Sequence, residues 1–317
     1  MLTRLRQQHA ELELDVLAPA WSAPLLRRMA EVRRVLDNPF ANGEFNFRGR
    51  LALARRIRGE AYDEAIVLPN SWKSALIPYL AGIPRRTGFL GEARYLLLNR
   101  VHRYDPRSLP QLALRYAKLA EAIDAGPQRP LAAPQLRSTP QQQAAVRAAL
   151  GLAASGEPVI FCPGAEYGPA KRWPARHFAA LARTLGDAAQ PVWLLGSDKD
   201  RALGEEIAQA AQGTALNLCG RTTLEQAIDL LAGARLVVAN DSGLMHVAAA
   251  LDRPLLALYG SSSPGYTPPL SPHAKIVTTN IACSPCFQRV CPLGHFKCLE
   301  ELTPQQVLRH LDHHADA

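Results

Sequence analysis

The sequence contains no long apolar run. None approaches the roughly 20 consecutive apolar residues that a helix needs to cross a bilayer, and the charged N-terminal stretch has no signal-peptide core. We therefore expect a cytoplasmic protein. Aromatic residues are also scarce, at 6%, and they do not alternate with basic residues as in proteins that bind single-stranded nucleic acid. An RNA-binding module is therefore disfavoured, and we expect no nucleic-acid partner.

Two common nucleotide-binding motifs are missing as well. No GxGxxG follows a predicted strand, and GxxxxGK[ST] does not occur. The sequence thus lacks the Gly-rich loops of the dinucleotide-binding and P-loop folds. Any phosphate site in this chain must be built in another way.

The composition is that of a globular protein of two domains. The chain has 317 residues, of which 48% are hydrophobic and 20% charged. Its formal net charge of +8 favours acidic partners, such as phosphorylated substrates or anionic lipid surfaces. Charge alone does not choose among these partners.

Helix and strand signals alternate along the chain, which predicts an α/β fold with parallel sheets. A proline-rich stretch at 126–140 indicates a linker between a first domain, 1–135, and a second, 136–317. The last helix could pack back on the first domain. In doubly wound sheets, ligands bind beyond the carboxyl ends of the strands.

The turn after the apolar run at 236–239 is the strongest candidate for a binding site. Asp241, Ser242 and Gly243 precede an apolar helical pattern, so Asp241 or Ser242 is placed to cap a helix. The free amides at such a helix start bind phosphate or another anion. The alternative is an ordinary turn that binds nothing.

A second candidate loop, PGAEYGPAKRWP, follows the predicted strand at 159–162. Gly164 would let the backbone approach a ligand closely, and Lys171 would clamp a diphosphate across from the helix start. Gly196 and Ser197 follow the next strand, where a nucleoside could be hydrogen-bonded.

Basic residues in the first half form a third candidate site. Lys73, Arg85 and Arg86 accompany Gly-containing loops, and Ser71 precedes a helix. These residues would bind a phosphorylated acceptor. The alternative is a solvated basic face.

Four of the six cysteines, Cys283, Cys286, Cys291 and Cys298, lie in one short segment. They could form a structural zinc site, remain as reduced thiols, or form redox-active disulfides. Only one pair has the CxxC spacing, and the other two cysteines of the chain are expected to be buried.

Long strings of the sequence resemble the bacterial heptosyltransferases of the GT-B fold. They include CPGAEYGPAKRWPARHF, VVANDSGLMHVAAALDRPLLALYGSSSPGYTPPLS and VLPNSWKSAL. The resemblance implies two doubly wound Rossmann-like domains whose parallel sheets face a cleft. It also implies an inverting transfer of heptose, without metal or another cofactor, from ADP-heptose to the first heptose of the lipopolysaccharide inner core.

The resemblance further implies roles for particular residues. The acceptor would be phosphorylated Kdo-lipid A bearing that heptose, bound by the first domain at the cytoplasmic surface of the inner membrane, with the protein peripheral there. Lys171 would contact the donor phosphates and stabilise the leaving group. His246 would face the cleft, unless it is a packed helix histidine, and Thr222 and Thr223 would lie beside the adenosine. Asp241, Ser242 and Gly243 would match the donor loop of the family. Gly164, Gly196 and Ser197 are the further donor candidates, from their place in loops after strands.

The chain departs from the family pattern at its N-terminus. Family members begin with a strand and a Gly-rich loop whose aspartate resembles the general base, and this chain starts after both. We therefore expect the general base to be absent from this chain and transfer to be slow, because such a group contributes about a hundredfold or more in rate. The alternatives are a related GT-B glycosyltransferase with another acceptor, or a truncated and weakly active form that binds ADP.

Overall fold

A computed structural model describes residues 1–41, 43–126, 130–154 and 156–312. The chain divides into two compact units, Met1–Ala23 with Glu31–Ala132, and Pro24–Ala30 with Ala133–Ala317. Across the described ranges, no helix combines the length and apolar character that a bilayer span requires.

The first unit contains two parallel sheets. One pairs β1 with β2, and the other has the order β3-β4-β5. The strands of this unit are β1 (Asp15–Ala18), β2 (Arg34–Asp37), β3 (Glu64–Val67), β4 (Arg85–Phe89) and β5 (Arg100–His102). Its helices are α1 (Leu2–Gln8), α3 (Phe47–Arg58), α4 (Trp72–Leu80) and α5 (Leu112–Lys118), while α2 (Ala23–Arg27) enters the second unit.

The expectation that Arg85 and Arg86 lie in loops is wrong, because both belong to β4. This strand carries basic side chains in place of an apolar alternation, and Glu64 on the neighbouring β3 pairs with it. Arg85 Nε lies 3.3 Å from a Glu64 carboxylate oxygen, and Thr87 Oγ1 donates to the other at 2.6 Å. Such cross-strand polar pairs stabilise a sheet without leaving an apolar pattern in the sequence.

The second unit is one doubly wound sheet of six parallel strands, in the order β11-β10-β9-β6-β7-β8. The predicted strands are all present, as β6 (Val159–Cys162), β7 (Val192–Leu194), β8 (Ala215–Asn217), β9 (Leu236–Asn240), β10 (Leu255–Leu258) and β11 (Ala274–Val277). The helices are α6 (Pro140–Ala149), α7 (Ala175–Asp187), α8 (Arg201–Ala210), α9 (Leu224–Ala232), α10 (Gly243–Ala250), α11 (Lys297–Glu300) and α12 (Pro304–Asp312).

The central strands of this sheet are buried on both faces. Phe161 and Val238 belong to one apolar cluster, and Ile160 and Val237 belong to the other. Successive side chains of a strand point to opposite faces, so helices must cover both sides of the sheet. This is why these strands appear in the sequence as continuous apolar runs.

Two helix starts of this unit carry capping boxes. Thr139 accepts from the Gln142 amide at the start of α6, and Thr223 accepts from the Gln226 amide at the start of α9. At the other end of the chain, α12 packs on α7, and Val307 is fully buried there. The last helix therefore packs within the second unit.

Candidate functional site

The candidate site lies at the carboxyl edge of the second unit's sheet. Loops that follow β6, β7 and β9 meet there because parallel strands end at the same edge. The backbone continues the pairing past the strands, since Leu195 N donates to Phe161 O at 2.8 Å and Gly220 N to Gly196 O at 3.0 Å.

Asn240, the last residue of β9, fastens the Lys171 loop to the sheet. Its side-chain amide donates to Pro163 O at 2.7 Å and accepts from Trp173 N at 3.0 Å. Asn240 and Trp173 are both fully buried, and the Trp173 indole donates to Leu302 O at 2.7 Å. The two ends of the loop 163–173 are thus held by one side chain, a role that sequence reasoning did not assign to Asn240.

Lys171 and Asp241 form an ion pair beside the start of α10. Lys171 Nζ lies 2.5 Å from Asp241 Oδ2, and the side chains are 17% and 5% exposed. The ammonium also lies 5.1 Å from the centre of the Tyr167 ring. These contacts fix a positive charge next to a helix N-terminus, as expected for a phosphate site.

The start of α10 is open. Ser242 is its N-cap, in an extended conformation, but within the described residues no side chain caps the helix. Ser242 therefore occupies the expected cap position, but its side chain makes no capping hydrogen bond to a described residue, and the Asp241 carboxylate faces Lys171. Gly243 is exposed, and no described atom outside its chain neighbours and its own helix backbone lies within 4 Å of where its Cβ would be. Free amides and open space at a helix start suit an anion.

His246 lies one turn further along α10 and is exposed. The protein around the ring lowers the pKa of its imidazole by desolvation, the Lys171 ammonium acts in the same direction, and Asp241 opposes both. The lowered pKa favours the neutral ring at neutral pH, in which one nitrogen donates a hydrogen bond and the other accepts one.

Contacts within the protein explain why residues 164 and 196 at this edge are glycines. A Cβ on Gly164 would lie 2.5 Å from the Asp200 carboxylate, and one on Gly196 would lie 2.9 Å from Asp200 Cβ. The same carboxylate accepts from Ser197 N at 2.9 Å and from Ser197 Oγ at 2.7 Å. Gly164 and Gly196 therefore make room for Asp200, which organises the loop after β7.

Two buried hydroxyls near this edge were not predicted. Ser261 and Ser262 follow β10 and are 1% and 6% exposed. Their side-chain hydroxyls have no hydrogen-bond partner among the described residues. Ser261 N donates to Ala170 O at 3.4 Å, which places this loop beside Lys171. Thr222, by contrast, lies partly exposed before the capping residue Thr223.

The predicted acceptor residues lie in the first unit. Ser71 begins α4 and shares a hydrogen bond of 2.8 Å with Ser74, while Lys73 Nζ donates to Gly43 O at 3.0 Å. Arg86 donates to the carbonyls of Leu97 and Ile83, so its guanidinium holds the backbone around β4.

The four clustered cysteines line one small cavity beside the Lys171 loop. Burial raises the pKa of the Cys298 thiol, and the charges of the other three cysteines raise it further. Backbone amides, that of Phe296 foremost, lower the pKa of Cys291. In the part of the chain that the structure describes, no three His, Cys, Asp or Glu side chains are in position to hold a metal ion. As predicted, Cys162 and Cys219 are buried, and burial raises the pKa of Cys219 to about 12.

Comparison with known proteins identifies the family. The model of glycosyltransferase family 9 (heptosyltransferase) matches residues 50–297. This chain belongs to glycosyltransferase family 9. Lipopolysaccharide heptosyltransferase 2 of Escherichia coli (strain K12) is 43% identical over 319 residues, which cover 97% of this chain and 91% of the relative. Lipooligosaccharide heptosyltransferase 2 of Haemophilus influenzae is 47% identical over 285 residues, or 86% of this chain and 82% of the relative.

Structure comparison agrees with the family 9 assignment. The solved structure of E. coli ADP-heptose lps heptosyltransferase II matches with a TM-score of 0.88 at 42% identity, and the match covers 99% of this chain and 92% of that chain. The expected α/β fold of GT-B type is confirmed, and the family 9 chain is a glycosyltransferase.

Proposed function

We propose that this chain transfers L-glycero-D-manno-heptose from ADP-heptose to heptose I of the lipopolysaccharide inner core. The observation that carries the proposal is the Lys171–Asp241 pair beside the open start of α10. Relatives named heptosyltransferase 2, at 43% and 47% identity, support the choice of donor and acceptor.

In the proposed donor site, the ADP diphosphate lies at the start of α10. The amides there and the Lys171 ammonium bind its oxygens, and Lys171 stabilises the charge that builds on the departing ADP. The acceptor hydroxyl oxygen forms a bond to the anomeric carbon and its proton passes to solvent. The carbon–oxygen bond to ADP breaks, ADP leaves with the bonding electron pair, and the configuration inverts. Neither a metal ion nor another cofactor takes part in this step.

Other residues of the second unit complete the proposed donor site. His246 faces the donor from the next turn of α10, where its neutral ring supplies a hydrogen bond. Thr222 and Thr223 lie beside the adenosine, while Gly164, Gly196 and Ser197 shape the loops through Asp200. We thus assign donor binding to residues 136–317.

We assign acceptor binding to residues 1–135, with Ser71, Lys73, Arg85 and Arg86 as the candidate contacts. The acceptor is phosphorylated Kdo-lipid A that bears heptose I, and a chain of net charge +8 is attracted to its phosphates. The enzyme would then work as a peripheral protein at the cytoplasmic surface of the inner membrane. Lys73 is the strongest of the four, because its ammonium donates to one carbonyl, Gly43 O, and has further donors, whereas Arg86 holds the carbonyls of both Leu97 and Ile83.

Substitution of Lys171 tests the proposed donor site. Lys171→Met removes the cation, and we expect the transfer rate to fall on the order of 100-fold, as when a preorganised charge is lost from a transition-state site. Lys199→Met is the matched control, because Lys199 pairs with Glu166 on the exposed surface of the same unit. Equal transfer rates for the two variants would contradict the proposal.

The substitution also leaves Asp241 buried without its partner, which alone could destabilise the fold. The double variant Lys171→Met with Asp241→Asn removes both charges. We expect it to recover the free energy of unfolding, measured with urea, but not the transfer rate. Recovery of transfer would assign Lys171 a purely structural role.

A further inference from the structure

The segment between β11 and α11, residues 278–296, has no regular secondary structure and no apolar core of its own. Its apolar side chains Phe287, Val290 and Leu293 are 48%, 59% and 62% exposed. Loops longer than about 12–15 residues without secondary structure are uncommon unless they are functional or disordered. Burial of apolar surface therefore does not explain what holds this loop, called here the cysteine loop.

Three of the four clustered cysteines lie in the cysteine loop, and the fourth, Cys298, follows it in α11. Cys283, Cys286, Cys291 and Cys298 all line one cavity of about 20 Å³, closed by Ala170 and Ser261. A volume of this size holds about one water molecule or one metal ion. All four thiols are free in the structure, so no disulfide staples the loop.

A fifth side chain of a type that binds zinc, His295, lines the same cavity as the four cysteines. His295 itself is a weaker candidate ligand, because its Nδ1 accepts the Lys297 amide at 3.0 Å.

We propose that Cys283, Cys286 and Cys291 of the cysteine loop, together with Cys298 of α11, bind one zinc ion in a structural site. Four thiolates in tetrahedral array form a closed zinc site, with no open position for catalysis. On binding, four S–H protons leave to solvent and four zinc–sulfur bonds form, which gives the site a net charge of −2. In the structure the thiols are not yet arranged around one point as zinc ligands. Rotation of their side chains about χ1 must therefore accompany zinc binding.

The cysteine loop is hydrogen-bonded to the loop that carries Lys171, so an ordered cysteine loop would also hold the donor site. Arg289 O accepts from Ala170 N at 3.1 Å, and Phe287 O accepts from Tyr167 OH at 2.7 Å. Gly168, at φ 153°, is the residue that allows the approach, since a Cβ there would lie 2.5 Å from Arg289 O. A zinc ion that fixes the cysteine loop therefore also fixes the loop that carries Lys171.

Metal analysis of the full chain, purified without chelators, tests the site directly. We expect about one zinc per chain, as in other four-cysteine sites. Cys286→Ser should lose the metal, whereas Cys219→Ala, a buried cysteine outside the cluster, and His295→Ala should keep it. Folded protein that takes up no zinc from an equimolar zinc solution would overturn the proposal. So would an intact mass that shows disulfides among these cysteines.

Cobalt substitution covers the case in which Cys286→Ser fails to fold. Zinc is removed from the wild-type protein with a chelator and replaced by cobalt(II). We expect thiolate-to-cobalt charge-transfer absorption with the visible bands of tetrahedral cobalt, and bound cobalt without them would contradict the site. In parallel, trypsin should cleave after Lys171 and Arg172 faster once zinc is removed. None of these measurements depends on heptose transfer, so their failure is distinct from failure of the proposed function.

Discussion

Lys171 combines a fixed position with unused hydrogen-bonding capacity. Its ammonium is held 2.5 Å from Asp241 and packs near Tyr167, yet the side chain keeps 17% exposure. An ammonium has three donors, so an incoming phosphate can bind without displacing the carboxylate. Asp241 thus positions the charge, and the phosphate would complete its coordination.

The pairing of Lys171 with Asp241 was not predictable from local pattern, because the two residues are 70 positions apart. The individual residues were predictable as donor candidates from their place after buried strands. Gly164 was also singled out, but for ligand approach, and the structure assigns its missing Cβ to Asp200. A glycine in a loop indicates that another group lies close to the backbone, but the sequence does not show whether that group is a ligand or a side chain of the protein.

At Gly243, the start of α10, the described residues offer no steric reason for a glycine. We expect Gly243→Ala to weaken ADP binding by about tenfold or more, because a methyl group at the helix start would occupy phosphate space. The free energy of unfolding should stay level or rise by up to about 1 kcal/mol, since alanine favours helices. Calorimetric titration with ADP and urea unfolding measure the two effects.

Gly126→Ala is the matched control for Gly243→Ala, because a Cβ there also meets no described atom within 4 Å. We expect its ADP affinity to equal that of the wild type. If Gly243→Ala binds ADP as tightly as Gly126→Ala does, the start of α10 is not the diphosphate site.

Among the elements, the strands divide sharply in how well the sequence predicts them. The strands β6, β9 and β10 are buried on both faces and appear as apolar runs. In contrast, β4 and β5 have the sequences RRTGF and RVH, and cross-strand pairing of Arg85 and Arg100 with Glu64 is part of what holds them. Tertiary partners of this kind are invisible to a hydrophobic pattern.

Helix α9 allows the capping role of Thr223 to be separated from a role in donor binding. We expect Thr223→Ala to lower the free energy of unfolding by about 1 kcal/mol, because the cap on the Gln226 amide is lost. Thr139→Ala removes the equivalent cap from α6 and should cost a similar amount. Urea unfolding measures both variants.

Only Thr223→Ala should also weaken ADP binding, because Thr139 lies outside the proposed donor site. Thr223→Ser should restore the cap and recover the stability. If Thr223→Ala and Thr139→Ala bind ADP equally well, Thr223 is a helix cap alone.

On the scale of the whole molecule, the α/β architecture and the family could be predicted, whereas the first unit's two separate sheets could not. Contacts between distant residues decide which strands share a sheet, as between Asp15 and Arg34 in β1 and β2 or Glu64 and Arg85 in β3 and β4. A local hydrophobic pattern does not record such partners. The acceptor residues in this unit stay predictions.

A transfer assay with two acceptors tests the central claim most directly. ADP-L-glycero-D-manno-heptose is offered with phosphorylated Kdo-lipid A that bears heptose I, and separately with Kdo-lipid A that lacks it, and products are identified by mass. We expect one heptose to be added to the heptose-bearing acceptor alone. Transfer to the acceptor without heptose I, or ADP-heptose binding with no heptosyl product on either acceptor, would contradict the proposed function.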